Sequence, residues 1–140
     1  MLDAVGQTVP PFNLADRVRP PAHYYIDIGN ICNLRCPFFV TGCGGSDQDQ
    51  TLMRADDYAT ILENDPAAKL IALYNWGEPM MNPDLLPIIR MTAAAGIRSH
   101  IDTNLSVRDL DQAAAEEIIR SGLSSLFMSI DGTTQAAYEI

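Results

Sequence analysis

Apolar runs recur along the chain at an interval that is typical of repeated strand–helix units. The run at 69–74 is apolar throughout after its first lysine, as expected for a strand that is covered on both faces. Three other segments rich in β-forming residues also predict strands. The four predicted strands are 23–28, 69–74, 97–101 and 123–130. The last three begin near residues 69, 97 and 124, so the interval is 28 and then 27 residues.

Amphipathic segments between these strands predict helices. Tyr58, Ile61 and Leu62 form an apolar face at helical spacing, and Pro66 ends that helix. A second helix is predicted at about 84–95, with a glycine directly after it.

Two further helices are predicted in the second half of the chain. Asp109 is the expected N-cap of the first, Gly122 closes it, and Thr133 begins the other. The expected buried face of the first is formed by Leu110, Ala114 and Ile118. Strand–helix alternation at this period indicates βαβ units on a parallel sheet, so the predicted class is α/β.

The amino-terminal segment does not fit this repeat. Proline pairs at 10–11 and 20–21 exclude a regular helix or a central strand there, so residues 1–22 are predicted to form an extended arm. Residues 23–140 then form the core. A closed barrel of six such units needs roughly 180 residues, whereas the chain has 140. About four of six units are therefore expected, as in a half-barrel or a fragment of a longer protein.

Small polar residues follow every predicted strand. In parallel α/β sheets, ligands bind outside the carboxyl ends of the strands, so these residues are expected to meet at one rim. In order along the chain they are the cysteines at 32, 36 and 43, the stretch 75–79, the stretch 102–104, and Ser129, Asp131 and Gly132.

Cys32, Cys36 and Cys43 are the three cysteines of the sequence, and they lie within twelve residues. Soft ligands at such spacing indicate an iron–sulfur cluster or another metal. A structural zinc site, with His23 as a fourth ligand, is a second interpretation. Three free thiols are a third. The spacing alone leaves the three open.

Charge and hydropathy exclude several classes of function. The net charge of −9 argues against nucleic-acid binding, because no basic patch offsets repulsion from phosphate. No run of eighteen apolar residues predicts a membrane span. The first residues show no signal peptide, and an odd number of closely spaced cysteines fits the cytoplasm.

Two motifs resemble those of the radical S-adenosylmethionine (radical SAM) enzymes. The stretch CNLRCPF at 32–38 resembles the start of their cluster-binding Cys-x3-Cys-x2-Cys loop, but Phe39 stands where the third cysteine is expected. Directly after the second predicted strand, Gly77, Glu78 and Pro79 resemble the family's Gly-Gly-Glu-Pro motif, with Trp76 in place of the first glycine. The resemblance covers about residues 22–140.

The resemblance implies a partial (βα)6 TIM-like barrel and two cofactors, a [4Fe–4S] cluster and S-adenosylmethionine. The cluster would cleave S-adenosylmethionine reductively, which would give a 5′-deoxyadenosyl radical that abstracts a substrate hydrogen. The implied partners are a reductant protein and an unknown substrate, for which peptides are one candidate class. The implied cluster ligands are Cys32 and Cys36, with Cys43 as a candidate third. The implied cofactor-binding residues are Phe38, Gly77, Glu78, Pro79, Asn104 and Ser129.

Phe39 opens three interpretations, because phenylalanine cannot ligate iron. Cys43 could replace the missing cysteine, or the chain could be a binding protein without catalysis. We favour the third interpretation, in which Phe39 impairs an otherwise ordinary radical SAM enzyme and Cys43 is a bystander. The alternative functions are a zinc-stabilised α/β binding module and a pseudoenzyme.

Overall fold

The computed structural model describes residues 20–43, 49–64, 67–107 and 110–138. Within these residues, strands and helices alternate along the chain as predicted. The strands are β1 (His23–Tyr25), β2 (Leu70–Ala72), β3 (Arg98–Thr103) and β4 (Ser125–Met128). The helices are α1 (Ala55–Asn64), α2 (Leu85–Ala94), α3 (Gln112–Arg120) and α4 (Gln135–Tyr138), and a 3-10 helix spans Pro79–Met81. The predicted arm lies almost entirely outside the described residues.

The four strands of the described part form one parallel sheet in the order β1-β2-β3-β4. Every neighbouring pair is parallel, and Ala72 of β2 pairs with Tyr25 of β1 and with His100 of β3. The prediction of an α/β fold with parallel βα units is therefore confirmed. Because sequential strands are neighbours in the sheet, their carboxyl ends lie side by side at one rim.

Predicted and observed strand ends differ where the backbone changes its partner. Ile26 N still donates to Ala72 O at 2.8 Å, but the carbonyl of Ile28 accepts from Met53 N at 2.9 Å. The first strand is therefore shorter than predicted, because the chain leaves β2 and pairs with the segment before α1. Conversely, β3 runs on to Thr103 because it pairs with β4 as far as Met128.

The apolar core lies between one face of the sheet and the helices. The side chains of Ile71, Leu73 and Ile101 on the sheet are at most 2% exposed, as are Ile88 and Ile89 of α2. Burying a side chain of this size contributes roughly 1.5–3 kcal/mol. The core thus holds the strand ends in place, on which the site depends.

Tyr58 joins α1 to this core as predicted. Its side chain is buried and its hydroxyl lies 2.7 Å from the hydroxyl of Thr92 on α2. Burial raises the pKa of Tyr58, and the Thr92 hydrogen bond opposes that shift. Leu62 packs against the core, whereas Ile61, on the same predicted apolar face, is 38% exposed.

The N-cap predicted for α3 was wrong. The helix starts at Gln112, and the side chain of Asp111 accepts a hydrogen bond from Ala114 N at 2.8 Å. The predicted cap, Asp109, lies outside the described residues, as does Pro66 after α1. Asp111 is favoured because its carboxylate reaches the third amide of the helix.

The sheet face opposite the core carries aromatic rings in place of aliphatic side chains. Edge-to-face contacts connect Tyr25, Tyr74, His100 and Phe127 across the four strands, at centroid distances of 5.9, 5.3 and 4.6 Å. Burial, followed by the charges of Tyr25 and Asp102, raises the pKa of Tyr74. This face leads into the rim described below.

Candidate functional site

Glu78 is the charged residue at the centre of the candidate site. It follows β2, caps the 3-10 helix and is 4% exposed. Its Oε1 accepts hydrogen bonds from Met80 N at 2.9 Å and Thr103 Oγ1 at 2.6 Å, and its Oε2 accepts one from Asn104 N at 2.9 Å. Within the described part of the chain, the two ion pairs lie elsewhere, so neutral donors hold this carboxylate.

The arrangement around Glu78 suits a cationic ligand. A buried carboxylate without a counter-charge is unfavourable unless other groups compensate. Each oxygen of an ionised carboxylate can accept two hydrogen bonds, and Asn104 N fills one position on Oε2. A cation that entered beside Glu78 would supply the missing charge.

Asn104 follows β3 and connects the rim to the loop that carries the cysteines. Its Nδ2 donates to Asn33 Oδ1 at 3.1 Å and lies 3.9 Å from Cys32 Sγ. Its Oδ1 accepts hydrogen bonds from the amide and the hydroxyl of Ser106, both at 2.8 Å. Leu105 between them has a φ of 56°, a conformation that few residues other than glycine adopt. The turn after β3 is thus closely determined.

Gly77 allows the backbone after β2 to touch the backbone after β1. Glu78 N donates to Ile31 O at 2.8 Å. A Cβ at position 77 would collide with the carbonyl oxygen of Gly29 and lie 2.9 Å from that of Ile31. Glycine is therefore required here by the close approach of two backbones.

The rim encloses a cavity of about 230 Å³. Cys32, Cys36 and Glu78 all line it, which confirms the predicted common rim. Asn104 and Ser129 reach it from the ends of β3 and β4, and Gly77 also lies on its wall. The other lining residues are Leu34, Phe39, Tyr74, Asn75, Asp102, Thr103 and Asp131. Glu78, Asp102 and Asp131 are its charged residues, so the lining is negative.

Ser129 is oriented by the neighbouring strand. Its hydroxyl donates to Asp102 Oδ1 at 2.7 Å, and its amide donates to Thr103 O at 2.9 Å. The end of β4 is thereby held against the end of β3. The structure places Ser129 where the resemblance predicts a cofactor-binding residue, although its role as a ligand stays a prediction.

Phe38 and Pro79 occupy different places from the other predicted residues. Phe38 is fully exposed and lines a neighbouring open cavity of about 550 Å³, together with Arg35, Pro37 and Asp131. Pro79 is buried as the first residue of the 3-10 helix and is not part of either cavity wall. In the structure, Pro79 begins the 3-10 helix directly after Glu78.

Cys43 is turned away from the cavity that Cys32 and Cys36 line. Its thiol donates to Pro37 O at 2.7 Å, and its amide donates to Phe39 O at 2.9 Å. Phe39, by contrast, lies on the cavity wall. The residue at the position of the missing cysteine therefore faces the site, whereas Cys43 faces its own loop.

The residues present do not form a three-thiolate set. In the described ranges, no three His, Cys, Asp or Glu side chains are placed to share a metal ion. The zinc set with His23 is not assembled either, because His23 begins β1 and the cysteines follow its opposite end. A cluster held by three thiolates requires one more ligand than this cavity offers.

Thr103 and Asn33 are two site residues that sequence reasoning did not select. Thr103 was recognised as part of a rim stretch, but its hydrogen bond to Glu78 depends on the register between β2 and β3. Asn33 lies inside the cysteine motif and bonds to Asn104 and Ser106. Polarity was the available signal, and it does not distinguish these residues from solvated ones.

Comparison with known proteins places this geometry among solved structures. No protein-family model matches the chain, and no curated protein is significantly similar to it in sequence. The structure of BtrN in complex with AdoMet and 2-DOIA matches with a TM-score of 0.70 and 18% identity, over 86% of this chain and 52% of BtrN. Streptococcus suis SuiB bound to S-adenosylmethionine matches with a TM-score of 0.66 and 17% identity, over 86% of this chain and 28% of SuiB.

BtrN and SuiB are both radical SAM enzymes. The chain shares the α/β fold of the matched parts of these two enzymes. SuiB bound to its precursor peptide SuiA gives the same TM-score of 0.66, at 19% identity, over 27% of that chain. The shared fold therefore spans about half the length of BtrN and about a quarter of SuiB. No helix in the described residues has the length and apolar character needed to cross a membrane.

Proposed function

We propose that this chain is a radical SAM-type protein that binds S-adenosylmethionine in the rim cavity and whose cluster site is impaired by Phe39. The observation that carries the proposal is the buried carboxylate of Glu78, which has neutral donors and no cationic partner in the described residues. The amino group of S-adenosylmethionine would provide that charge. The resemblance assigns this role to the Gly-Glu-Pro turn, and the fold brings that turn to the cysteines.

The charge of the cavity supports the same ligand. S-adenosylmethionine carries a sulfonium and an ammonium group, and the cavity wall offers carboxylates without a lysine or arginine. Attraction between opposite charges is stronger in a partly buried site than in water. Asn104 and Ser129, which line this cavity, are the further residues proposed to contact the cofactor, and Phe38 would contact it from the neighbouring cavity.

Of the two cofactors that the family uses, the residues of this cavity fit the cluster less well. Cys32 and Cys36 would each ligate one iron of the cluster, and Phe39 occupies the position of the third cysteine. We therefore propose no reaction step for the chain as it stands. Once three thiolates are present, this enzyme class is expected to form a radical, to receive electrons from a reductant protein and to act on a substrate such as a peptide. We expect this protein to be located in the cytoplasm.

Binding of S-adenosylmethionine, measured by isothermal titration calorimetry under anaerobic conditions, tests the proposal. Replacing Glu78 by Gln should weaken binding by about tenfold or more, because a hydrogen bond to a charged group contributes roughly 1.5–3 kcal/mol. Glu63→Gln is the matched control, since Glu63 is exposed on α1. Equal affinity of the parent and Glu78→Gln would contradict the proposal.

A second measurement leaves the protein unchanged. An analogue of S-adenosylmethionine that lacks the amino group should bind the parent as weakly as S-adenosylmethionine binds Glu78→Gln. Tight binding of that analogue would show that the ammonium group is not recognised. Circular dichroism of Glu78→Gln distinguishes a lost contact from a lost fold.

A further inference from the structure

The thiol of Cys43 lies close to the backbone of Cys36, a residue that lines the cavity. Cys36 and Cys43 are both exposed. The sulfur of Cys43 lies 3.7 Å from the carbonyl oxygen of Cys36 and 2.7 Å from that of Pro37. The side chain of Cys43 therefore points back along its own loop toward the backbone of Cys36.

The backbone of the loop maintains this approach. Phe39 N donates to Cys36 O at 3.2 Å, and Cys43 N donates to Phe39 O at 2.9 Å, so two consecutive turns fold the segment back on itself. A Cβ at Gly42 would collide with the backbone of Cys36 and lie 3.0 Å from the carbonyl carbon of Arg35. Disulfides need Cα atoms within roughly 4.4–6.8 Å, which a contact of this kind favours.

Cys32 has different surroundings. It is half-buried, and its sulfur accepts a hydrogen bond from Leu34 N at 3.4 Å, with Asn104 Nδ2 at 3.9 Å. These contacts hold Cys32 toward the cavity, away from the turns that bring Cys43 to Cys36. The geometry therefore distinguishes one pair of cysteines from the third.

We propose that Cys36 and Cys43 form a reversible disulfide, which makes this loop a site of oxidative modification. With hydrogen peroxide as the oxidant, the thiolate of one cysteine attacks a peroxide oxygen, the O–O bond breaks, and the sulfur becomes a sulfenic acid. The hydroxide that leaves takes up the proton that the thiol had released and becomes water. The thiol of the other attacks that sulfur, the S–S bond forms and a second water leaves. The two thiols lose two hydrogens and two electrons in total, and the peroxide is reduced to water.

The disulfide has a consequence for the rim. A cysteine in a disulfide cannot bind a metal, because the ligand is the thiolate. Oxidation would thus remove Cys36 from the cavity wall and leave Cys32 as its free thiol. This gives Cys43 a role that does not require it to be a cluster ligand. Formation of the disulfide is independent of the proposed function, and its effect on metal uptake rests on that function.

Mass spectrometry of the reduced chain after treatment with hydrogen peroxide tests the proposal. Remaining thiols are blocked with N-ethylmaleimide, and the chain is digested with trypsin without reduction. Cleavage after Arg35 separates Cys32 from the peptide 36–54, which contains both Cys36 and Cys43. We expect this peptide unblocked and two hydrogens lighter, while Cys32 carries the label.

Matched variants make the result specific. Cys32→Ser should form the same disulfide as the parent, and Cys43→Ser should leave Cys36 labelled at an equimolar dose of peroxide. A covalent link between the Cys32 peptide and the 36–54 peptide would overturn the proposal. A dimer linked between chains, or full labelling of all three thiols, would do so as well. Because no S-adenosylmethionine is present, failure of the proposed function cannot alter these outcomes.

Discussion

Glu78 and the cysteine loop at 32–43 face the same cavity but are held in different ways. Glu78 is buried between strand ends, and its donors come from the 3-10 helix and from the end of β3. Cys36, Phe39 and Cys43 are exposed and are held by short turns within their own loop. One half of the site is therefore supported by the sheet, and the other half chiefly by local contacts.

This difference predicts which half of the site is displaced more easily. Moving Glu78 would require the end of β2 to separate from β3, which the buried core opposes. The loop is joined to the rest of the rim by side-chain hydrogen bonds, such as those from Thr41 Oγ1 to Trp76 O at 3.0 Å and from Asn33 Nδ2 to Ser106 Oγ at 2.9 Å. Metal binding stabilises the segment that carries the ligands, so a cluster on these cysteines would add support to the loop. In this chain, the ring of Phe39 lies 6.0 Å from that of Trp76.

Gly77→Ala should have the largest effect, because it acts where the two halves meet. The added Cβ would collide with the Gly29 carbonyl oxygen, and the hydrogen bond between Glu78 N and Ile31 O would be strained. We expect a loss of about 3 kcal/mol in the free energy of unfolding. Urea denaturation followed by circular dichroism measures it.

Gly96→Ala is the control for this prediction. Gly96 has a φ of 72° but no atom within 4 Å of an added Cβ, so only backbone strain of about 1 kcal/mol is expected. Equal losses in the free energy of unfolding for the two variants would show that the backbone contact between the segments after β1 and β2 does not contribute to stability.

Phe39→Cys tests whether the weaker half can be completed. The change adds a thiolate to a cavity wall that already contains Cys32 and Cys36. After anaerobic reconstitution, the iron content should rise several-fold over the parent, toward about four irons per chain. In a protein extended to the full barrel, formation of 5′-deoxyadenosine under reducing conditions should rise with it.

Cys43→Ala is the control for iron content and should change it little, because the Cys43 thiol faces its own loop. If the parent already binds a full cluster and Cys43→Ala abolishes it, Cys43 is the third ligand. Zinc bound without colour would instead favour a structural zinc module, and absence of both metals would favour a pseudoenzyme.

A double-mutant cycle on Phe39 and Trp76 measures the support that the loop has without a cluster. Both rings are 43% exposed, so their interaction is expected to be modest. The coupling energy between Phe39→Leu and Trp76→Leu should be about 1 kcal/mol, as for other aromatic pairs. The free energy of unfolding of the two single variants and the double variant gives this energy. Additive losses would mean that the ring contact contributes nothing.

Tyr58→Phe should have the smallest effect and should leave the rim unchanged. It removes one hydrogen bond, and Thr92 Oγ1 keeps its donation to Ile88 O at 2.8 Å, so about 1 kcal/mol is expected. Burial raises the pKa of Tyr58 in the folded state. The folded state therefore retains this proton better than the unfolded state as the pH rises.

The contribution of Tyr58 is thus present below the ordinary tyrosine pKa, near 10, and is lost as the pH rises through the higher folded value. Above about pH 10, where unfolded tyrosine loses its proton, the free energy of unfolding should fall more steeply for the parent than for Tyr58→Phe. Parallel curves for the two proteins would contradict this account. Affinity for S-adenosylmethionine should be the same in both.

Much of the fold could be predicted from local pattern. Apolar runs located the four strands, and helical spacing placed Tyr58 in the core. The differences fall where the contacts of individual side chains decide. Ile61 has helical spacing but is 38% exposed, and α3 begins at Gln112 because the carboxylate of Asp111 accepts from its third amide. Neither outcome is encoded in periodicity alone.

The strand–helix alternation and the residue types at each strand end follow from local pattern, because the spacing of apolar residues dictates which faces can be buried. The resemblance to the radical SAM motif likewise identifies Phe39 as standing where a third cysteine is expected. Which groups meet depends on the folded sheet. Strand register brings Thr103 and Asn104 to Glu78, and turns after Cys36 direct Cys43 away from the cavity. Contacts between residues distant along the chain depend on the packing of the whole sheet, so spacing could not predict them.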